Sequence, residues 1–285
     1  MIPTTDFSIR SLLGGFDQNF TYVVTCSRTG AQLIVDAAIK FNRISPLIHN
    51  QPWAMLLTHT HGDHIAYLDQ IVEAYPKMIV LGHPETKIYP ESINFQPLKH
   101  NQTFKVGEMS FIALHTPGHY YDSICYHLDS ILFTGDTLFV GRTGRVISAK
   151  SDIAALYDSV YNKILTMDGN TRIYPGHDYG EKPTVTLKEN IKISHLLQAR
   201  NLKDFQQRME SPQTTCAQYI HTTNGKTYSI CAKKRSACSK GVRCRRRRMR
   251  SLHRTSQEKT IHHRRIRLSR RQGVALPVCL PWAPE

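Results

Sequence analysis

Short apolar runs separated by turn residues fill the first 180 positions of the chain. The runs at 19–26 and 31–37 are rich in β-branched and aromatic residues and flank the turn Ser-Arg-Thr-Gly, which predicts a β-hairpin. Further apolar runs of strand length follow along the chain. They lie at residues 53–59, 77–82, 109–119, 122–128, 130–136 and 170–178.

Three other segments carry apolar residues at helical spacing, at 63–75, 151–165 and 185–209. In the first, Asp63 would suit the positive end of the helix dipole, and in the second, Ser151 would act as the N-cap. Strands therefore come in two groups, each closed by helices. This order predicts an α/β (α+β) fold in which two sheets pack face to face with helices outside, rather than a doubly wound or all-β fold.

Charge divides the chain into two parts. The net charge is +15, yet residues 1–200 are close to neutral, because residues 201–285 hold 20 of the 37 Lys and Arg but only 4 of the 22 Asp and Glu. Apolar periodicity also stops near Ser211. We therefore predict a globular domain at 1–210 and a basic tail at 211–285 that cannot bury enough apolar surface to fold and is disordered.

Cysteine usage and the N-terminal sequence narrow the cellular setting. Cys26 and Cys125 lie in apolar runs, and none of the five cysteines in the tail forms a C-x-x-C pair, so a disulfide framework or a zinc knuckle is disfavoured. The N-terminus lacks the apolar stretch of a signal peptide, and no run is long enough to span a membrane. We expect a cytoplasmic protein with no membrane partner.

The segment 58–64 reads Thr-His-Thr-His-Gly-Asp-His and crowds four ligand-type side chains together. It follows a buried strand, where residues two apart point the same way, so His59 and His61 can aim at one point. Gly62 would permit a sharp turn, after which Asp63 and His64 aim at a second point. The alternative interpretation is a polar loop with solvated histidines.

Three further ligand-type residues end apolar strands beside Gly-containing turns, namely His119, Asp136 and His177. Together with the segment 58–64 they give five His and two Asp, which is enough for two metal ions. Nitrogen and oxygen ligands without thiolate suit zinc, and also iron or manganese. The expected sets are His59, His61 and His119 for one ion, Asp63, His64 and His177 for the other, and Asp136 as a bridge.

Four motifs in this order, T-H-x-H-x-D-H, H-T-P-G-H, F-T-G-D-T-L-F and Y-P-G-H-D-Y, resemble the metallo-β-lactamase superfamily from residue 7 to about 200. The resemblance implies a four-layer αβ/βα sandwich with metals at one edge of the sheets. Asp136 stands where β-lactamases of the main zinc class have Cys, and His61 stands where flavodiiron proteins have Glu. The spacing also leaves no room for the inserted arms of the superfamily's nucleases.

Within the superfamily, F-T-G-D-T-L-F and Y-P-G-H-D-Y-G-E-K-P-T are most similar to the glyoxalase II (hydroxyacylglutathione hydrolase) group. That resemblance implies hydrolysis of a small-molecule thioester, S-acylglutathione, by a hydroxide that bridges two divalent metal ions. Asp63 would accept a proton as well as bind metal. Arg145 and Tyr179 match substrate-binding positions. Val146 and Ile147 depart from the group's pattern, which leaves other acyl-thioester or ester substrates open.

Two alternatives remain at this point. A related persulfide dioxygenase would use one iron held by His59, His119 and Asp136, a two-His-one-carboxylate set. The Arg-rich runs at 243–250 and 262–271 could instead bind nucleic acid, or form an appendage without a role. The residue pattern leaves open the identity and occupancy of the metals, the acyl group and thiol of the substrate, the oligomeric state and the purpose of the tail.

Overall fold

Twelve strands form two six-stranded sheets in the computed structural model, which describes residues 6–88 and 93–211 and the backbone of 220–223 and 226–229. The chain divides into two units, Met1–Ala232 and Lys233–Glu285, and every described residue belongs to the first. Most of the predicted basic tail, including both Arg-rich runs, lies outside the described residues. The domain boundary near residue 210 therefore stays a prediction.

The first sheet has the strand order β1-β2-β3-β4-β5-β6. Strands β1 to β3 are antiparallel neighbours, and β3 to β6 run parallel. Pairing of β2 with β3 confirms the predicted hairpin, whereas β1 alternates apolar with polar residues at the sheet edge and was not predicted. The strands are β1 (Phe7–Gly14), β2 (Asn19–Cys26), β3 (Gln32–Val35), β4 (Ala54–Leu56), β5 (Ile79–Gly82) and β6 (Phe95–Pro97).

The second sheet has the order β14-β13-β10-β9-β8-β7 and is antiparallel except between β10 and β13. Two short hairpins, β11 with β12 and β15 with β16, lie outside both sheets. The strands are β7 (Gln102–Val106), β8 (Met109–His115), β9 (Ile124–Leu128), β10 (Ile131–Gly135), β11 (Leu138–Phe139), β12 (Arg142–Thr143), β13 (Arg172–Pro175), β14 (Val185–Thr186), β15 (Ile220–Thr223) and β16 (Lys226–Ser229).

Five α-helices occur among the described residues, with two 3₁₀ turns and one π-helical segment. The α-helices are α1 (Phe41–Ile44), α2 (Leu68–Ala74), α3 (Ile153–Asp158), α4 (Leu187–Ile193) and α5 (Leu202–Glu210). The 3₁₀ turns are Ser45–Leu47 and His195–Gln198, and the π-helical segment, Ser159–Ile164, continues α3. None of these helices is long and apolar enough to cross a membrane.

Three helix predictions are wrong in detail. Helix α2 begins only at Leu68, so Asp63 lies in the preceding turn and gains nothing from the helix dipole. Helix α3 is capped by Asp152, which accepts from the Ala155 amide at 2.8 Å, because the Ser151 hydroxyl donates instead to the carbonyl of His119. The segment 185–209 is not one helix but a short strand followed by two helices with a 3₁₀ turn between them.

Three apolar clusters explain the layers. Along β2, Val24 faces the cluster between the sheets while Val23 faces α1 and α2, because side chains of a strand alternate between faces. Along β10, Phe133 faces the space between the sheets and Leu132 faces α3 to α5. Both faces of each sheet are thus covered, which accounts for the continuous apolar runs. The predicted four-layer sandwich is confirmed.

Candidate metal centre

The segment 58–64 follows β4, and its first residue is hydrogen-bonded to Asp36, the residue after β3. The Thr58 amide donates to Asp36 Oδ1 at 2.8 Å and its hydroxyl to Oδ2 at 2.7 Å. His59 and His61 then turn towards each other, with Nε2 of the first 2.9 Å from Nδ1 of the second. The turn does not need its glycine for backbone freedom, because the φ of Gly62 is not positive and a Cβ there would have nothing within 4 Å.

The other three predicted residues follow β8, β10 and β13 and reach the same place. Gly135, at the end of β10, has φ +47°, and a Cβ on it would lie 2.6 Å from Thr58 Cβ, so the backbone of β10 approaches the segment 58–64 closely. That approach brings Asp136 to the cluster. His177 forms an isolated antiparallel β-bridge with Asn19, the first residue of β2, and this bridge connects it to the first sheet.

The predicted ligand sets form two compact trios. In the first trio, His59, His61 and His119, the His61 Nδ1 lies 2.9 Å from His59 Nε2 and 3.0 Å from His119 Nε2. In the second trio, Asp63, His64 and His177, the His177 Nε2 lies 3.2 Å from His64 Nε2 and 3.3 Å from Asp63 Oδ2.

Asp136 lies between the two trios. Its Oδ2 is 3.4 Å from Nε2 of His119 and 3.4 Å from Nε2 of His177, one histidine of each trio. Its Oδ1 is 3.2 Å from His64 Nε2, and a third compact set, formed with His59 and His64, shares members of both trios. The structure thus brings all seven predicted residues together.

Oxygen acceptors hold the outer nitrogen of the buried histidines. His64 Nδ1 donates to Asp36 Oδ2 at 2.8 Å, His119 Nδ1 to the Arg145 carbonyl at 2.8 Å and His177 Nδ1 to the Asp17 carbonyl at 2.7 Å. When these rings are neutral the proton stays on Nδ1, and each Nε2 can present a lone pair to the cluster. Such outer-shell acceptors are typical of metal-binding histidines because they set the tautomer and the ring orientation.

The pKa values in the first trio favour neutral rings. Burial lowers the pKa of His59, and positive charge on His64 would lower it further. Burial and the neighbouring His119 lower the pKa of His61 to about 4, and burial also lowers that of His119. These imidazoles are therefore unprotonated at neutral pH, which is the form that binds metal.

The second trio behaves differently because it contains carboxylates. Burial alone would lower the pKa of His177, but the charge of Asp136 and a hydrogen bond to Asp63 raise it to about 9. Burial would raise the pKa of Asp136, but the charges of His177 and His64 hold it well below its usual value. Without a cation, protons on these imidazoles balance the buried carboxylates, and a divalent ion would do the same.

The donor set fits a pair of divalent cations. Asp136 Oδ1 is buried and accepts no hydrogen bond from the described residues. The three nitrogens of the first trio face one another about as closely as hydrogen-bonded atoms, yet the Nδ1 protons of the buried rings are already used elsewhere. Converging nitrogen and oxygen atoms with lone pairs are the arrangement that nitrogen- and oxygen-ligated zinc, iron or manganese requires.

Sequence reasoning did not find the residues that brace the cluster. Asp36 holds both Thr58 and His64, and the only sequence signal was a carboxylate directly after an apolar strand. Asn19 donates through Nδ2 to Asp63 Oδ2 at 2.8 Å. Asp122 accepts from the Thr60 hydroxyl at 2.6 Å, between the two histidines of the motif. Each partner is remote in sequence, so spacing could not reveal it.

The two predicted substrate contacts, Arg145 and Tyr179, both lie beside the cluster, but they contact it in different ways. Arg145 is half-buried, and its carbonyl accepts from His119, which places its loop directly behind that candidate ligand. The Tyr179 ring stacks on His177 with centroids 4.8 Å apart, and the Arg142 guanidinium covers the Tyr179 ring at 4.3 Å. The Tyr179 hydroxyl donates to Asp17 Oδ2 at 2.6 Å, so it already has a partner within the protein.

Comparison with known proteins agrees with the geometry. A hydroxyacylglutathione hydrolase from Francisella philomiragia is 34% identical over 166 residues, which is 58% of this chain and 61% of that protein. The probable polyketide biosynthesis zinc-dependent hydrolase BaeB from Bacillus velezensis is 30% identical over 199 residues, covering 65% of this chain and 88% of that protein. The chain thus spans less than two thirds of the Francisella relative.

Solved structures and the family's sequence model point the same way. The crystal structure of ETHE1 from Myxococcus xanthus superposes with a TM-score of 0.65 at 25% identity, over 73% of this chain and 93% of that one. The sequence model of the metallo-β-lactamase superfamily matches residues 14–177, a span that contains all seven clustered side chains. The chain belongs to the metallo-β-lactamase superfamily.

Proposed function

We propose that this protein is a metal-dependent thioester hydrolase of the glyoxalase II type, with S-acylglutathione as its substrate class. The observation that carries the proposal is the position of Asp136, whose Oδ2 lies 3.4 Å from one histidine of each trio. A carboxylate between two sets of three ligands suits two metal ions. The resemblance to a hydroxyacylglutathione hydrolase and to a zinc-dependent hydrolase supports both the reaction and zinc as the metal.

The proposed ligands are the seven converging residues. The first trio would hold one ion, the second trio the other, and Asp136 would bridge them. Zinc is the expected metal, and iron and manganese fit the same donors. When bound, two such cations acidify water and stabilise the negative charge that develops on a thioester carbonyl oxygen.

Asp63 suits the role of ligand better than that of proton acceptor. Burial would raise the pKa of its carboxyl, but hydrogen bonds from His177 and Asn19 and the charge of His64 hold the pKa well below its usual value. A carboxylate with so low a pKa is a weak base. Its side chain remains 29% exposed, so it borders the path by which a substrate reaches the cluster.

The contacts of the thiol carrier are proposed on one side of the cluster. Arg145 lies behind His119 and offers a guanidinium to a carboxylate or carbonyl of the carrier. Tyr179 would have to release Asp17 before its hydroxyl could bind a substrate. We therefore propose Arg145 as a direct contact and Tyr179 mainly as the residue that positions His177 through ring stacking.

Metal analysis of the full chain combined with two assays tests the proposal. Two zinc ions per chain, together with hydrolysis of S-lactoylglutathione to lactate and glutathione, would support it. An Asp136→Asn variant should bind about one ion and lose at least about 100-fold in kcat/KM. Two bound ions without cleavage of any thioester in a panel of acyl groups and carriers would contradict it.

The persulfide dioxygenase alternative predicts one iron held by His59, His119 and Asp136. These three residues do lie close together, with Asp136 Oδ2 3.4 Å from His119 Nε2, but four further candidate ligands converge on the same place, which favours the two-metal reaction. Stoichiometric iron with oxygen uptake on glutathione persulfide would favour the alternative instead.

We also propose that residues 1–210 carry the reaction and that the basic tail does not. A chain truncated after residue 210 should keep the kcat/KM of the full chain within about twofold. Nucleic-acid binding through the Arg-rich runs would instead give salt-dependent retention on DNA that disappears on truncation.

A further inference from the structure

The cluster of candidate ligands opens to solvent on one side. His59, His64, His119, Asp136 and His177 are buried, with 8% or less of their surface exposed. His61 and Asp63 are only partly buried. A substrate therefore reaches the cluster past these two side chains, and residues beside them decide which groups are accepted.

Phe16 has an exposed ring and lies in a turn whose hydrogen bonds lead through Asn19 to Asp63, at this opening. It is 75% exposed, second only to Ile147, at 79%, among the exposed large hydrophobic residues of the described chain. Its backbone is fixed, because the amides of Phe16 and Asp17 both donate to Asn19 Oδ1, and Asn19 Nδ2 donates to Asp63 Oδ2. The carbonyl of Asp17 accepts from His177. The turn that carries Phe16 is thus bonded directly to two candidate ligands.

Tyr67 completes an aromatic pair with Phe16. The two rings stack with centroids 6.4 Å apart and an angle of 9° between their planes. Tyr67 is half-buried and lies four residues after Asp63, where its amide donates to the Ala37 carbonyl and fixes the turn between Asp63 and α2. The backbones of both residues are therefore fixed by hydrogen bonds, and both residues are linked to the region around Asp63.

An exposed ring on a fixed backbone is ready to bury apolar surface of a ligand. Covering a phenylalanine side chain removes apolar area from water at little entropic cost when its position is already fixed. The Phe16 side chain carries no hydrogen-bonding group, so within the stacked pair it presents an apolar surface, and the Tyr67 hydroxyl is the pair's one polar side-chain atom. The occupant that fits is an apolar group attached to the reacting carbonyl.

We propose that Phe16 and Tyr67 bind the acyl group of the thioester and select medium-length or aromatic acyl groups over small polar ones. This inference rests on the proposed thioester hydrolysis and names its acyl class. It makes Phe16 a specificity residue that contacts the substrate without taking part in bond cleavage.

The first test compares kcat/KM for S-hexanoylglutathione and S-acetylglutathione in zinc-loaded full-length protein. Phe16→Ala should lower the value for the hexanoyl substrate about tenfold and that for the acetyl substrate less than about twofold. Phe16→Leu, which keeps an apolar side chain, should retain most of the preference. Trp53→Ala is the matched control, since Trp53 is an aromatic residue 41% exposed that precedes β4, at the other end of the strand from the cluster.

A second test does not depend on turnover. Hexanoate and acetate are titrated into the zinc-loaded wild type and Phe16→Ala, and binding is followed by saturation-transfer NMR. The wild type should bind hexanoate about tenfold more tightly than acetate, and the variant should lose this difference. If no thioester is cleaved but the chain-length preference depends on Phe16, the proposed reaction fails and the assignment of the aromatic pair stands.

Three results would overturn the inference. Equal losses for both acyl substrates would show that Phe16 only supports the fold of the turn. The absence of any chain-length preference in wild-type binding would show that the pair does not face the ligand. A concentration-dependent dimer in sedimentation that Phe16→Ala abolishes would show that a second copy of the chain covers the pair.

Discussion

At the scale of single residues, Asp36 shows how the cluster depends on groups that never reach a metal. Its two oxygens accept from the Thr58 amide, the Thr58 hydroxyl and His64 Nδ1. The Thr58 hydroxyl oxygen lies in turn 3.2 Å from His59 Nδ1. One buried carboxylate thus orients one histidine of each trio.

Replacing Asp36 with Asn should therefore weaken metal binding. The amide would place an N–H₂ group against donors, so either Thr58 or His64 would lose its acceptor. We expect zinc affinity to fall about 10- to 100-fold, measured by competition with a chromophoric chelator. Asp69→Asn, an exposed position in the first turn of α2, serves as the control and should leave the affinity unchanged. Equal affinities in the two variants would contradict the role given to Asp36.

At the scale of elements, the ends of strands place the ligands by backbone contact. Gly176, between β13 and His177, lies so close to the cluster that a Cβ would overlap Asp136 Oδ1 and lie 2.7 Å from His64 Cε1. Its amide donates to the carbonyl of Gly135 at 2.9 Å. The glycine is thus required for close approach, whereas Gly62, within the motif itself, is not.

The two glycines give a matched pair of variants. Gly176→Ala should lower the free energy of unfolding by about 1–3 kcal/mol, because the added methyl group must displace a ligand. It should also reduce bound metal in elemental analysis. Gly62→Ala should change the free energy of unfolding by less than about 0.5 kcal/mol. A Gly176→Ala protein with full metal content and wild-type stability to urea would show that the cluster has more room than the structure indicates.

Helix α5 supplies a test of pH dependence far from the cluster. A hydrogen bond from Arg208 and another from the Arg200 amide hold the pKa of Asp204 well below its usual value. Because the folded pKa is the lower one, the stabilisation is complete above the unfolded pKa of about 3.9 and is lost as the pH falls through the folded value.

Asp204→Asn should therefore cost stability at neutral pH and progressively less below about pH 4. Urea unfolding of the two proteins at several pH values measures the difference, in which the common effect of acid on metal binding cancels. A difference between the proteins that stays constant down to pH 2 would show that the carboxylate of Asp204 is not stabilised in the fold.

At the scale of the whole molecule, the candidate metal centre joins the two sheets. The segment 58–64 comes from the first sheet, and His119, Asp136 and His177 come from the second. Ions bound between them would hold together surfaces that apolar packing alone already brings into contact. The cost of collecting two carboxylates and five imidazoles in one place is offset in part by protons on the imidazoles of the second trio and further by bound cations.

Removal of metal should consequently lower the melting temperature. Free zinc at 1,000 times its dissociation constant stabilises a folded protein by about 4 kcal/mol, which for a domain of this size corresponds to a shift of roughly 10 °C. Thermal unfolding followed by circular dichroism with and without chelator measures the shift, and added zinc should reverse it. If the melting temperature did not change after verified removal of the metal, bound metal would not contribute to the stability of the fold.

The sequence alone determined the two groups of strands and the residues of the candidate cluster. Apolar runs of strand length and ligand-type side chains at strand ends are local patterns, so they can be recognised from sequence. It also predicted the β2–β3 hairpin, because a short turn joins strands that are neighbours along the chain. The four-layer arrangement followed from the resemblance of the ordered motifs to a known superfamily.

Only the tertiary structure decided which residues brace the cluster and where it opens. Asp36, Asn19 and Asp17 hold candidate ligands that lie 28 to 160 positions away, and such pairs leave no periodic signal in a single sequence. The start of α2 depended on the turn that Asp63 must make to reach His177, which overrides helix propensity before Leu68. Exposure of Phe16 likewise follows from how its turn is bonded to the cluster, since an isolated apolar residue in a sequence is more often buried.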